Sequence, residues 1–135
     1  MNRIPGFAML LIIIVFSGCT KDSDTTPNTT SRDAFIGTWT VSETWTKQSY
    51  EVKIYADPNS SNGVFITNFG NAGLDSTPAG AEVNGNSIVL DANQYISVEL
   101  KINGSGTLSG TKINWNYTLD YGANVIQAVA IYTKV

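Results

Sequence analysis

The sequence predicts an all-β domain built from one antiparallel meander of eight strands. Three observations carry that prediction. Apolar and polar residues alternate with period two through most of residues 37–134, as they do in strands with one buried face. Clusters of Gly, Asn, Asp, Ser and Pro interrupt the alternation at short intervals, where turns belong. Charged residues make up only 14% of the 135-residue chain, while Thr, Ser, Asn and Gly are abundant, a mix that favours strands and turns over helices. No segment longer than a turn shows a helical period.

Taken in order, residues 31–36 suit one helical turn with Ser31 as N-cap. In the first strand, 37–45, Trp39, Val41, Glu43 and Trp45 share one face, and Thr38, Thr40, Ser42 and Thr44 the other. The second strand, 49–56, places Tyr50, Val52 and Ile54 together. Residues 57–63 are dense in turn formers. The third strand, 64–69, is apolar on both faces, so its facing stays open. After a loop with Gly70, Asn71, Gly73 and Pro78, strands at 79–83 and 86–90 flank Asn84-Gly85, a strong hairpin signal. A turn at 91–94 leads into one long strand, 96–108, with Val98, Leu100 and Ile102 inward and Glu99 and Lys101 outward. Gly104 and Gly106 mark a bulge or bend in it. Ser109-Gly110 turns into the seventh strand, 111–121. There Ile113, Trp115, Tyr117, Leu119 and Tyr121 fill one face, and Lys112, Asn114, Asn116, Thr118 and Asp120 the other. Gly122-Ala123-Asn124 turns into the last strand, 125–134. A meander of this length covers its inner face by closing into a barrel or by folding into two packed sheets.

Gly37-Thr38-Trp39, after a helical turn and at the start of the first strand, resembles the Gly-x-Trp opening of lipocalins. Over residues 32–135 the chain also resembles small lipocalin-like, or calycin-like, lipoproteins of Bacteroidetes. The resemblance implies the barrel: eight up-and-down strands, with Trp39 plugging the closed end. It also implies a basic residue packed over that Trp, for which Lys134 is the candidate.

Upstream, Arg3 and an apolar run over residues 8–16 have signal-peptide proportions. The run is shorter than the roughly 20 apolar residues a bilayer span needs. Ser17 and Gly18 then precede Cys19, the single cysteine. Phe16-Ser17-Gly18-Cys19 resembles a bacterial lipobox, which implies cleavage after Gly18 and diacylation of Cys19. Lys21-Asp22-Ser23-Asp24 is similar to a short acidic surface-export signal of Bacteroidetes lipoproteins, with Lys21, Asp22 and Asp24 as its charged residues. The expected organisation is a signal peptide at 1–18, a lipidated Cys19 and polar linker at 19–31, and the barrel domain at 32–135. The linker holds no apolar residue to bury and reads as disordered, with a reach of ~40 Å when extended. Asp24-Thr25-Thr26 and Asp75-Ser76-Thr77 resemble a Bacteroidetes O-glycosylation pattern. The expected location is the outer membrane, lipid-anchored and displayed at the surface, with the periplasmic leaflet as the other option.

Several chemistries are excluded or unsupported. The chain has no histidine, which removes His-based acid–base catalysis, Ser-His nucleophiles and His metal ligands. One cysteine allows no internal disulfide. A net charge of -3 argues against a nucleic-acid partner. No calcium loop or phosphate-cradling glycine loop is present, and no carboxylate pair shares an apolar strand face. The expectation is a binding module that is not an enzyme and carries no cofactor or metal.

The candidate ligand-lining residues are Trp39, Glu43, Trp45, Tyr50, Trp115, Tyr117 and Tyr121. Glu43 is the odd residue on an aromatic face. It either orients the polar end of a ligand in a cavity, or it stands in water near the open rim or is turned outward by a bulge; the non-ligand reading is the favoured one. An eight-stranded barrel is just wide enough to be filled by side chains or to hold one small ligand. Two functions follow: an interior site for a small apolar or aromatic molecule, or a filled barrel whose outside engages an envelope protein or a glycan.

Overall fold

The computed structural model describes residues 31–135. The leader, Cys19, Lys21-Asp22-Ser23-Asp24 and Asp24-Thr25-Thr26 lie outside the described residues. A 3-10 turn, Ser31–Ala34, precedes β1 (Gly37–Glu43), β2 (Ser49–Ala56) and β3 (Gly63–Ile66). A second 3-10 turn, Phe69–Asn71, leads to β4 (Ala79–Asn84) and β5 (Ser87–Leu90). Then come β6 (Gln94–Tyr95), β7 (Lys101–Ser109), β8 (Lys112–Asp120) and β9 (Val125–Lys134).

The strands form an antiparallel barrel. β1 to β5 pair in sequence order, as do β7 to β9; β9 returns to β1, and β5 pairs with β7. Eight strands therefore close the ring. The two-residue β6 is extra: it pairs with the start of β7, at Gln94↔Ile102 and Tyr95↔Lys101, beyond the stretch that β5 covers. Closure removes the open sheet edges that a flat meander would expose.

Register follows the apolar phase. In β8, Ile113, Trp115, Tyr117 and Leu119 are buried, while Lys112, Asn114 and Asn116 are exposed. A slip of one residue would exchange the two sets, at the cost of every inward side chain. The interior is packed with rings. Trp115 lies 5.5 Å from Phe69 and 5.5 Å from Tyr132, centroid to centroid, and Phe69 lies 4.8 Å from Tyr117.

Both ends of the barrel are covered. At one end Trp39 is fully buried and its indole N–H donates to the Phe35 carbonyl at 2.8 Å. Lys134 lies over its ring, with Nζ 5.2 Å from the centroid, and donates to the Ala34 carbonyl at 3.0 Å. Arg32 ties the entering turn to the β2–β3 loop by donating to the Ser60 carbonyl at 2.5 Å. At the other end Phe69 enters from its 3-10 turn to meet Trp115 and Tyr117.

Several element boundaries differ from the sequence reading. The strand expected over 96–108 begins only at Lys101. The Ile96 N–H donates to the Leu100 carbonyl at 3.0 Å, and this tight turn throws Val98 outward, 98% exposed, instead of inward. The first strand ends at Glu43, not at 45. Lys47 takes a left-handed φ of 55° in the turn that follows, and Trp45 stands there 40% exposed, off the inner face. The seventh strand ends at Asp120, so Tyr121 also leaves the inner face and is 39% exposed. The third strand stops at Ile66, because Asn68, Gly70 and Asn71 all adopt positive φ. The hairpin turn falls one residue later than read: Asn84 pairs with Ser87, so Gly85 and Asn86 make the turn, with Gly85 at φ 60°.

Candidate functional site

Two places bring polar chemistry together: one inside the barrel and one on its outer wall. The inner one centres on Glu43, at the last position of β1. Its side chain points inward and is only 4% exposed. The hydroxyls of Tyr50 and Tyr117 both donate to Oε1, and Thr46 Oγ1 donates to Oε2 at 3.3 Å. This corrects the favoured reading of Glu43 as a rim residue in water. A buried carboxylate is tolerated when hydroxyl donors replace its hydration, and three do so here.

Strand order explains the encounter. β1 is flanked by β2, which brings Tyr50, and by β9, beyond which lies β8 with Tyr117. Glu43 pairs with Ala130, and Tyr117 with Ala128. The short side chains of these two β9 residues leave the path across β9 open. Tyr132 joins the cluster from β9. It is fully buried, and among the described residues neither its hydroxyl nor Trp115 Nε1 has a hydrogen-bond partner.

Burial, first of all, raises the ionisation of Tyr50, Tyr117 and Tyr132 above the ordinary tyrosine range, and the Glu43 carboxylate pushes all three the same way, while the Tyr50 phenol pulls Tyr117 slightly back. All three therefore stay protonated, Tyr50 and Tyr117 as donors to Glu43. The cluster holds an acceptor and its donors. It clasps β1, β2 and β8 together at one end of the barrel.

Of the candidate ligand-lining residues, the structure unites Glu43, Tyr50 and Tyr117, with Trp115 buried beside Tyr132. Trp39 lies at the opposite end, and Trp45 and Tyr121 lie outside the barrel interior. The sequence reading missed Tyr132, although it sits on the inward phase of the last strand. It also missed Phe69, whose entry depends on a turn that no alternation announces. Among the described residues, no group of three or more Cys, Asp or Glu gathers to hold a metal ion. Asp75-Ser76-Thr77 lies in the loop between Phe69–Asn71 and β4. Its Ser76 hydroxyl donates to the Gly73 carbonyl at 2.6 Å, and Thr77 is exposed.

The outer place spans β6 to β9. Tyr95, Lys101, Asp120 and Val125 are successive register partners across these strands, so they form one outward row. A concavity of about 310 Å³ is lined by Tyr95, Glu99, Lys101, Asp120, Tyr121 and Gly122. Tyr95 is 59% exposed. Asp120 Oδ1 accepts from the Gly122 N–H at 2.8 Å and shapes the turn that carries Tyr121. The next rows along the strands are Asn103, Thr118 and Gln127, then Ser105, Asn116 and Val129. Most of these residues line a second concavity of about 280 Å³. Both hollows lie on the outside of the barrel.

No protein-family model matches the chain, and no curated protein matches it.

Proposed function

We propose that this chain is a lipid-anchored envelope protein of the lipocalin-like lipoprotein kind, whose filled barrel is a non-catalytic interaction module. The observation that carries the reading is the packed interior. Trp39, Trp115, Tyr132, Phe35 and Phe69 are all buried to within 1%, and Phe69 packs edge-on or tilted against Trp115 and Tyr117, as Trp115 does against Tyr132. That packing favours the outer wall over an internal pocket for a small apolar molecule. The tyrosine–glutamate clasp then serves rigidity, and the outer hollows serve recognition. Anchoring on Cys19 and surface display through Lys21, Asp22 and Asp24 rest on the lipobox and export-signal resemblances.

Two measurements test this. Cys19→Ala should abolish labelled-palmitate incorporation and release the protein from the outer-membrane fraction; undiminished labelling refutes the anchor. Native mass spectrometry of the purified chain should give the mass of protein plus acyl group alone. A stoichiometric co-purified apolar molecule that is displaced on unfolding would refute the filled barrel.

A further inference from the structure

We infer that the outer wall of β7, β8 and β9, with the β6 edge, binds a neutral oligosaccharide. This rests on the interaction-module reading and deepens it by naming the ligand class. The inference comes from the chemistry along the face. At one end Tyr95 and Tyr121 expose rings on a shared hollow. An exposed tyrosine offers an apolar surface with a polar tip, which suits the C–H face of a pyranose and its rim of hydroxyls.

Away from the tyrosines the wall turns to side chains that both donate and accept. Asn103, Asn116 and Gln127 carry carboxamides, and Thr118 a hydroxyl. A sugar hydroxyl also donates and accepts, so each such group matches it without a charge. From Asp120 back to Asn116 the strand runs about 13 Å, at ~3.3 Å per residue. The two hollows follow one another along that length, so the face takes a linear chain rather than a single ring.

The charge pattern selects among occupants. Lys101 and Asp120 are register partners, one positive beside one negative, Glu99 adds a second negative charge at the same hollow, and the amide rows between them and Thr107 are uncharged. A polyanion needs several cations and meets one lysine here. A protein partner is anchored by aromatic or Arg residues near the centre of its interface. On this wall the aromatics stand at the end, and the centre holds amides beside the exposed aliphatic side chains of Val129 and Ile131, with no aromatic or Arg among them. A neutral hydroxylated polymer fits the balance.

The test applies the purified full chain to an array of neutral and anionic oligosaccharides and follows the strongest binder by calorimetry. Saturable binding of a neutral oligosaccharide is expected. Tyr121→Ala should weaken it by about tenfold, which corresponds to ~1.4 kcal/mol, while Tyr121→Phe keeps it. Asn116→Ala should weaken it as well, and Val89→Ala, on the outer face of β5, should not. Tyr121 is exposed in a turn, so equal circular dichroism and urea midpoints check that its variants fold. The inference is overturned if no neutral saccharide binds, if only anionic ones bind, or if Tyr121→Ala leaves affinity unchanged. If saccharides fail while Tyr121→Ala and Asn116→Ala abolish the binding of an envelope protein, the inference falls and the interaction module stands. If an apolar molecule is found inside and the wall variants are silent, both fall.

Discussion

Trp39 and Trp45 lie six residues apart in one stretch of alternating sequence, and truncating each should have very different consequences. Trp39 is fully buried, hydrogen-bonded to the Phe35 carbonyl and covered by Lys134. Trp39→Ala removes a large ring at the covered end of the barrel, where the 3-10 turn bridges the strands and limits collapse. Truncations of this type cost about 3–5 kcal/mol. The lost indole bond also leaves a buried carbonyl without its donor, worth ~1 kcal/mol more. Against a stability of about 5–15 kcal/mol, the variant should be close to unfolding at growth temperature. Trp45 stands 40% exposed in the turn after β1, so Trp45→Ala leaves a gap that water enters and should cost ~1 kcal/mol or less. With a urea slope of about 1.5 kcal/mol per molar, Trp39→Ala should lower the midpoint by roughly 3–4 M, and Trp45→Ala by under about 0.7 M. Trp39→Phe should fall between the two, because it keeps a ring and loses the N–H. The assay is urea titration followed by far-UV circular dichroism. Equal midpoints for the two alanine variants would refute the placement of Trp39 as the buried plug of the barrel.

Two further outcomes follow from the interior. Gly104→Ala should destabilise the domain by ~2–4 kcal/mol: Gly104 sits at φ 152° with its missing Cβ position 2.4 Å from the Asn116 backbone oxygen, so strain and overlap add. Gly110→Ala, with nothing within 4 Å of its Cβ position, should cost only its φ strain, and thermal melts showing the two variants alike would count against the close β7–β8 approach. The raised ionisation of Tyr50, Tyr117 and Tyr132 makes stability pH-dependent on the alkaline side. Their folded-state values lie above the ordinary 10.0, so the unfolded chain releases these protons first. The stabilisation is complete below pH 10 and is lost as pH rises beyond it, by up to ~4 kcal/mol per pH unit for three groups. Absorbance at 295 nm should show these three phenols ionising together with unfolding. Their ionisation in a fully folded barrel would contradict the buried clasp.

The period-two pattern carried the strand inventory because a half-buried strand writes its two faces into alternate residues. β2 and β9 have the expected boundaries, and the inward set of β8 holds from Ile113 to Leu119. The misreadings share a cause. Trp45, Val98 and Tyr121 each continue an alternating phase past the point where the backbone turns away. Alternation records which residues could share a face, and it does not record where a tight turn such as Ile96-to-Leu100 ends the strand. Phe69 was read as the end of an apolar strand, and a left-handed Asn68 sends it into the barrel from above.

What the sequence by itself determined is the all-β class, the count of ring strands and the inward phase of most of them. These depend on local propensity, turn chemistry and period, each readable within a few residues. The choice of a barrel over two sheets came only from the resemblance at Gly37-Thr38-Trp39. Closure itself is decided by pairings between β1 and β9 and between β5 and β7, which are distant in sequence. The fate of Glu43 was beyond local reading for the same reason. Its two tyrosine donors come from residues 50 and 117, and they meet it only because strand order sets β2 on one side of β1 and β8 one strand beyond the other. The outer wall is likewise a tertiary object: Tyr95, Lys101 and Asp120 become one row when β6, β7 and β8 take their register. Alternation places a side chain inward or outward, and only the closed sheet decides which neighbours it finds there.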